Sequence, residues 1–427
     1  MRALLPRRSR TFHPAPALVL AAVLLACGDG ITSPERITEL PRALSAGELA
    51  LVSAGNTFAV SLLRTVHESE PDSTVFLSPL SASMALGMAL NGAQGATRDQ
   101  MRSTLGFGSL SMDDVNRSYE DLIALLRGLD PDVDFRLANA LFHRNEFVME
   151  SAFLDTVRRH FDARVQGLDF AAPSAVTTIN GWVKESTGGR IEDIVEAPID
   201  PLTMAFLMNA IYFKGDWTRS FDAAKTLIGP FHLRGGGTAS VRFMVKEDSV
   251  GYREGDGWHA AELSYGGGAW VMDVAVPREG YDLEAVVRAL GEILDPGAAW
   301  PARTLTVWLP RFQLEWEREL NPDLQRLGMR DAFEPGVADF TPMYRRALEV
   351  GLYVKKVKQK TFLKVDEVGT EAAAVTSVEM GIKAAPSWLR ADQPFLIAIR
   401  ERLSGTVLFA GLVVQAPRDA SGVSPWV

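Results

Sequence analysis

The stretch from Glu367 to Lys383, EVGTEAAAVTSVEMGIK, constrains this chain more than any other. Local propensity makes it helical, since Glu-Ala-Ala-Ala is a strongly helix-favouring run. Its period of two says otherwise. Thr370, Ala372, Ala374, Thr376, Val378, Met380 and Ile382 fall on one face, which is uncharged and grows from small to large. Glu371, Ala373, Val375, Ser377, Glu379, Gly381 and Lys383 fall on the other, which carries every charge. That alternation describes a strand with one buried face, and no proline removes an N–H from a ladder. A segment suited to two states is a candidate switch. The plain alternative is an Ala-rich surface helix.

The body beside this segment is large. The chain has 427 residues, 47% hydrophobic and 23% charged, with no linker-like break between about residues 46 and 417. One large globular domain follows from that. A net charge of −9 argues against a nucleic-acid partner. Cys27 is the sole cysteine, so no intramolecular disulfide can form, and the six histidines lack metal-ligand spacing. No GxSxG, P-loop or carboxylate pair marked by its context is present, so the sequence does not point to an enzyme or to a cofactor.

The N-terminal end has its own logic. Arg2, Arg7, Arg8 and Arg10 precede an apolar run from Ala15 to Ala26, too short to span a bilayer. Residues 1–27 therefore read as a signal peptide. Leu24-Leu25-Ala26-Cys27 resembles the lipobox of bacterial lipoproteins, which implies a lipid on Cys27 and a membrane partner; Leu25 departs from the small residue usual there. An ordinary secretory signal cut nearby is the alternative. The expected location is the cell envelope, periplasmic or surface, or outside the cell. Residues 28–45, with Pro34 and Pro41 and little apolar pattern, read as a tether, and residues 418–427 as a disordered tail.

Between these ends the pattern alternates helices and strands. Phe58, Leu62 and Val66 mark one helical face. Val75-Phe-Leu-Ser-Pro-Leu-Ser81 opens a second helix, with Ser78 and Ser81 suited to capping. Arg136–His143 alternates as a strand, Ile179–Gly188 reads as a helix, and Met204–Phe213 reads as a strand covered on both faces. Asn209 lies inside that run and needs partners. Trp217 follows, on its residue type alone an ordinary packed aromatic. Leu305–Phe312 alternates, and Trp270–Pro277, Pro394–Arg400 and Thr406–Val414 are β-branched or aromatic runs.

These motifs, in this order, resemble the serpin family of serine protease inhibitors. Glu367-Val-Gly-Thr-Glu-Ala-Ala-Ala-Val-Thr376 matches the hinge of an inhibitory serpin's reactive-centre loop, comprising Glu367, Gly369, Thr370, Glu371, Ala372, Ala373, Ala374, Val375 and Thr376. Leu309-Pro310-Arg311-Phe312, Leu327–Phe333 and Ala338-Asp339-Phe340 match further signatures. The resemblance covers roughly residues 46–417 and implies the α+β serpin fold, with three sheets and about eight or nine helices. It also implies a monomer. A target protease cleaves the loop, forms an acyl-enzyme, and is trapped when the hinge inserts as a strand in the main sheet.

Site residues follow by the same resemblance. Ser78, Ser81 and Asn209 fall in a polar cluster under the main sheet, the shutter, where Gln359 replaces a frequent histidine and is expected to bond Asn209 and Ser78. Trp217 falls at the breach, where the loop enters. Arg311 and Glu367 are expected to pair at the top of the sheet. Family spacing counted from Glu367 and from Pro394 meets at Lys383, so the expected scissile bond is Lys383–Ala384, with Met380 or Ile382 as alternatives. A basic residue there points to a trypsin-like target. Burying Val378, Met380 and Ile382 would contribute roughly 5–9 kcal/mol to insertion. A serpin that no longer inhibits, acting as a binding or storage module, is the competing reading; a hydrolase on an unrelated fold is a third.

Overall fold

The computed structural model describes residues 36–108, 110–344, 351–370 and 388–420. Cys27, residues 371–387 and the Lys383–Ala384 bond lie outside the described residues.

Helices form where the apolar period and the caps agree. The helix α1 (Ala46–Ser69) starts on a capping box, Ser45 and Glu48, and buries Phe58, Leu62 and Val66. Ser78 caps α2 (Pro79–Leu90), whose first residue is proline. Then come α3 (Gly95–Thr104), α4 (Met112–Leu126), α5 (Ser151–Phe161), α6 (Pro173–Ser186), α7 (Leu283–Arg288), α8 (Leu290–Ile293) and α9 (Asn321–Arg326). These are the nine α-helices among the described residues.

The strands are β1 (Val75–Leu77), β2 (Val133–Arg144), β3 (Ala163–Leu168), β4 (Ala205–Asp216), β5 (Leu227–His232), β6 (Thr238–Gly255), β7 (Trp258–Tyr265) and β8 (Trp270–Pro277). They continue with β9 (Ala302–Pro310), β10 (Phe312–Glu319), β11 (Lys358–Val365), β12 (Gly369–Thr370), β13 (Trp388–Arg390), β14 (Phe395–Glu401) and β15 (Val407–Val413). With the helices they make an α+β fold in three sheets.

Nine strands form one sheet, ordered β1-β15-β14-β8-β7-β6-β9-β13 with β5 on β6. The other two sheets share no ladder among the described residues and are together called the main sheet here. One runs β12-β4-β2-β3 and the other is the β10-β11 pair. The helix α6 covers the first part: Ile179, Trp182 and Val183 pack with Ala140, Phe142, Met208 and Ala210 from β2 and β4. Ile211 and Phe213 belong to the larger core on the opposite side. Both faces of β4 are therefore covered, as its apolar run implies.

Three local readings change. The alternation from Leu305 to Phe312 is not one strand. Pro310 has no N–H to continue a ladder, and the chain crosses at Arg311 from β9 in the nine-stranded sheet to β10 in the main sheet. The spacer is shorter than residues 28–45, because Ile37 N donates to Gly267 O at 2.8 Å and Arg402 Nη2 donates to Ile37 O at 2.6 Å. Leu40 and Leu44 pack on the core. The tail is ordered through Ala420: Gln313 N donates to Arg418 O at 2.9 Å, and Asp419 is held by arginines. Composition hid both, since their partners lie hundreds of residues away.

Candidate functional site

Two strand ends and one turn build the upper part of the site. The strand β4 ends at Gly215-Asp216, and Trp217 follows. Beyond β11 the chain reverses through Asp366–Gly369. Asp366 makes the turn with its own side chain, Oδ1 accepting from Val368 N at 3.1 Å and Gly369 N at 3.3 Å. Its N–H donates to Gly369 O at 2.9 Å.

The segment after β4 binds every carbonyl of this turn's first half. Trp217 Nε1 donates to Asp366 O at 2.9 Å. Phe221 N donates to Glu367 O and Trp217 N to Val368 O, each at 2.7 Å. Trp217 is therefore more than packing: it stacks on Tyr265 with centroids 4.3 Å apart and also grips the base of the hinge. Lys246 covers the same aromatic group, its Nζ 4.5 Å from the Phe221 centroid. Burial pushes the Lys246 ammonium below its ordinary range, against Asp248 at 3.3 Å.

From this turn β12 pairs antiparallel with β4, Gly369 opposite Asp216 and Thr370 opposite Gly215. Strand wins over helix for these two residues because the ladder edge of β4 that faces away from β2 is beside them. Gly369 must be glycine for that approach: a Cβ there would lie 2.3 Å from Gly215 O and 2.4 Å from Asp216 Cα. Among the described residues, Gly369–Thr370 is the only ladder on that edge of β4, and no ladder joins β4 to β11. Glu371 to Thr376 lie outside the described residues.

Glu367 and Arg311 meet, with Arg311 Nη1 3.3 Å from Glu367 Oε1. The same Oε1 accepts from Thr226 Oγ1 at 2.7 Å. The closer partner of Arg311 is Asp419, joined by Nε–Oδ1 at 2.9 Å and Nη2–Oδ2 at 3.0 Å. Burial alone would lower the Arg311 pKa, but the two carboxylates raise it.

The polar cluster lies lower, where α2 starts. Ser78 Oγ donates to Leu408 O at 2.7 Å, and Ser81 N donates to Ser78 Oγ at 3.4 Å. Capping and cross-linking thus use the same hydroxyl. Ser81 Oγ donates to Asn209 O at 3.3 Å. Gln359 does not reach Asn209. It pairs with the Ser78 main chain, Oε1 accepting from N at 3.0 Å and Nε2 donating to O at 2.8 Å. Asn209 Nδ2 donates instead to Asn139 Oδ1 at 2.8 Å, and its buried Oδ1 has no hydrogen-bond partner among the described residues. The expected Gln359–Asn209 bond is absent because β11 and β4 belong to different parts of the main sheet, joined by no ladder.

Sequence reasoning missed Asp366, Thr226 and Asp419. Asp366 carried a signal, an aspartate three residues before a glycine. Thr226 and Asp419 carried none. Among the described residues no group of three or more His, Cys, Asp or Glu could hold a metal.

Residues 53–416 match the family model described as "Serpin (serine protease inhibitor)". The chain is 35% identical over 375 residues to Serpin B8 of Homo sapiens, covering 84% of this chain and 98% of that one. It is 32% identical over 378 residues to leukocyte elastase inhibitor A of Rattus norvegicus, covering 85% and 98%. Among solved structures, the thermophilic serpin tengpin in its native state superposes with a TM-score of 0.77 at 27% identity, covering 90% of this chain and 97% of that one.

Proposed function

The chain belongs to the serpin family, and we propose that it is an irreversible inhibitor of a trypsin-like serine endopeptidase. The protease cleaves Lys383–Ala384 and forms an acyl-enzyme on Lys383. The loop from Gly369 to Lys383 then enters the main sheet as a strand, and the protease is carried along before water can release it.

The observation that carries this reading is the start of that strand. Gly369 and Thr370 are already laddered on β4, and no ladder joins β4 to β11 among the described residues. Continuing the register one for one sets Glu371 opposite Lys214 and Met380 opposite Ala205, the first residue of β4. An opposite-charge pair then stands at the entrance, with small residues behind it and the large apolar ones last. The lysine at 383 suits an acidic specificity pocket. The lipobox-like end supports export and a lipid on Cys27, with the protein acting as a monomer at the cell envelope.

The test mixes the chain from Gly28 onward with trypsin, followed by denaturing electrophoresis and intact-mass analysis. The expected result is a stable species at the summed mass and a small fragment beginning at Ala384. Clean cleavage at Ala384 with no complex overturns inhibition of this protease class and favours a binding or storage module. A second digest, of protein that the host has cut between Ala26 and Cys27, reads the lipid on Cys27 as an acyl mass.

A further inference from the structure

The C-terminal segment beyond β15 ends in a charge cluster at the base of the hinge. Arg418 bridges to Gln313 on β10, which places Asp419 beside Arg311. The two carboxylate oxygens of Asp419 take Nε and Nη2 of Arg311 in a parallel fork at 2.9 and 3.0 Å. Two-bond forks fix the guanidinium plane as well as its position. With Nε and Nη2 engaged, Nη1 is the nitrogen left to meet Glu367, at 3.3 Å. Asp419 Oδ2 also accepts from Arg242 Nε at 2.9 Å, and Arg311 N donates to Arg242 O at 2.8 Å. The cluster thus balances two guanidiniums, Arg242 and Arg311, against two carboxylates. Side-chain exposures of 6% for Asp419, 19% for Arg311 and 11% for Glu367 make the arrangement one of directed bonds rather than a loose surface pair.

Glu367 lies within the Asp366–Gly369 turn that starts the inserting strand, so what steadies Glu367 steadies the direction of entry. We propose that Asp419 is a positioning residue for the hinge: it holds Arg311 in the orientation that meets Glu367, so the C-terminal segment takes part in setting how often a cleaved loop inserts in time. This rests on the inhibitor reading above. Without Asp419, Arg311 keeps its charge but loses its fork, two guanidiniums converge on one carboxylate, and the base of the hinge loses its fixed geometry.

The experiment compares wild type with Asp419→Asn, Asp419→Glu and a chain ending at Pro417, measuring moles of inhibitor consumed per mole of trypsin trapped and the urea midpoint of the intact protein. Asp419→Asn and the shortened chain are expected to raise inhibitor consumption at least threefold with little change in midpoint, and Asp419→Glu to recover at least half of the loss. In a Glu367→Gln background Asp419→Asn is expected to add nothing. Wild-type consumption in Asp419→Asn overturns the proposal, as does an undiminished effect in the Glu367→Gln background or a loss that tracks the urea midpoint. Should wild type be cleaved without trapping, the inhibitor reading fails by itself. The positioning role is then read from how fast the nicked chain becomes heat-resistant: a threefold slower rate in Asp419→Asn supports it and an equal rate overturns it.

Discussion

The nine-stranded sheet and the main sheet are built from the same kinds of residue and are finished differently. In the first, β8, β14 and β15 bury every residue, and β8 and β14 have ladder partners on both edges. A deeply buried cation there is answered: Arg400 Nε lies 2.7 Å from Asp273 Oδ2, and Arg400 also pairs with Glu262. Burial raises the pKa of both carboxylates against the pull of Arg400. In the main sheet, β4 and β11 share no ladder among the described residues. In the first sheet the ladders run unbroken from β1 to β13; in the other the described ladders stop between β4 and β11. The difference teaches where stability and where change reside in one chain.

The sharpest way to break this contrast is Thr370→Arg. The β12 register brings Thr370 in first, opposite Gly215, and a cation there must enter a covered sheet. Covalent complex with trypsin should disappear, a loss above about 100-fold, while cleavage at Lys383 proceeds. Complex at wild-type yield would mean the main sheet does not receive the loop.

Arg400→Met tests the finished sheet. Removing the cation leaves Asp273 and Glu262 buried without it, which should destabilise the fold by about 3–5 kcal/mol. Urea unfolding measures this. The protein that remains folded should trap protease at the wild-type ratio; a change in that ratio would couple the two sheets and erase the contrast.

Gly369→Ala is a smaller lever on the main sheet. The added Cβ meets backbone at 2.3 Å and 2.4 Å, which no side-chain rotation relieves. Relief by backbone shift costs about 1–3 kcal/mol, so insertion should slow by roughly tenfold or more, visible as more cleaved inhibitor per trapped protease. An unchanged ratio would place the entry point elsewhere.

The pH response should also separate the sheets. His259, on β7, is pushed down to about 4, first by burial and then by Arg278, with Arg303 adding to this and Glu254 opposing. Its folded pKa lies below the ordinary 6.5, so the unfolded chain binds the extra proton. Stability is therefore full above pH 6.5 and is lost as pH falls toward 4, by about 2 kcal/mol after allowance for solvent screening. Denaturant titrations should show that loss, and His259→Phe should remove it. Insertion rates should stay level between pH 5 and 8, since Gln359 cannot titrate. A titration of the insertion rate that vanishes in Gln359→Leu would contradict this.

Much of the architecture was legible because it rests on local pattern. The runs that became β8, β14 and β15 are apolar enough to name themselves, and Ser78-Pro79 announces a helix start. Gly369 and Thr370, where the hinge begins, were legible as strand only through the period, against the helix propensity of the run that follows. Gln359 was placed beside Ser78, which it does bond, and beside Asn209, which it does not, because whether it reaches Asn209 depends on whether β4 and β11 are joined, a matter of sheet assembly. Asp419 was invisible: Arg-Asp-Ala-Ser-Gly has no periodicity, and its meaning comes from Arg311 and Arg242.

By itself the sequence determined many of the helices and strands and that the residues from about 46 to 417 make one large body. Such features depend on neighbours a few residues apart, which propensity and periodicity record. The tertiary structure alone decided that the chain crosses between sheets at Arg311, that Asp366 and Trp217 grip the hinge, that Ile37 and Asp419 are fastened to the body, and that Asn209 and Gln359 stand apart. Most of these depend on contacts between groups far apart in the chain, and such bonds exist only once packing has brought their partners within about 3 Å.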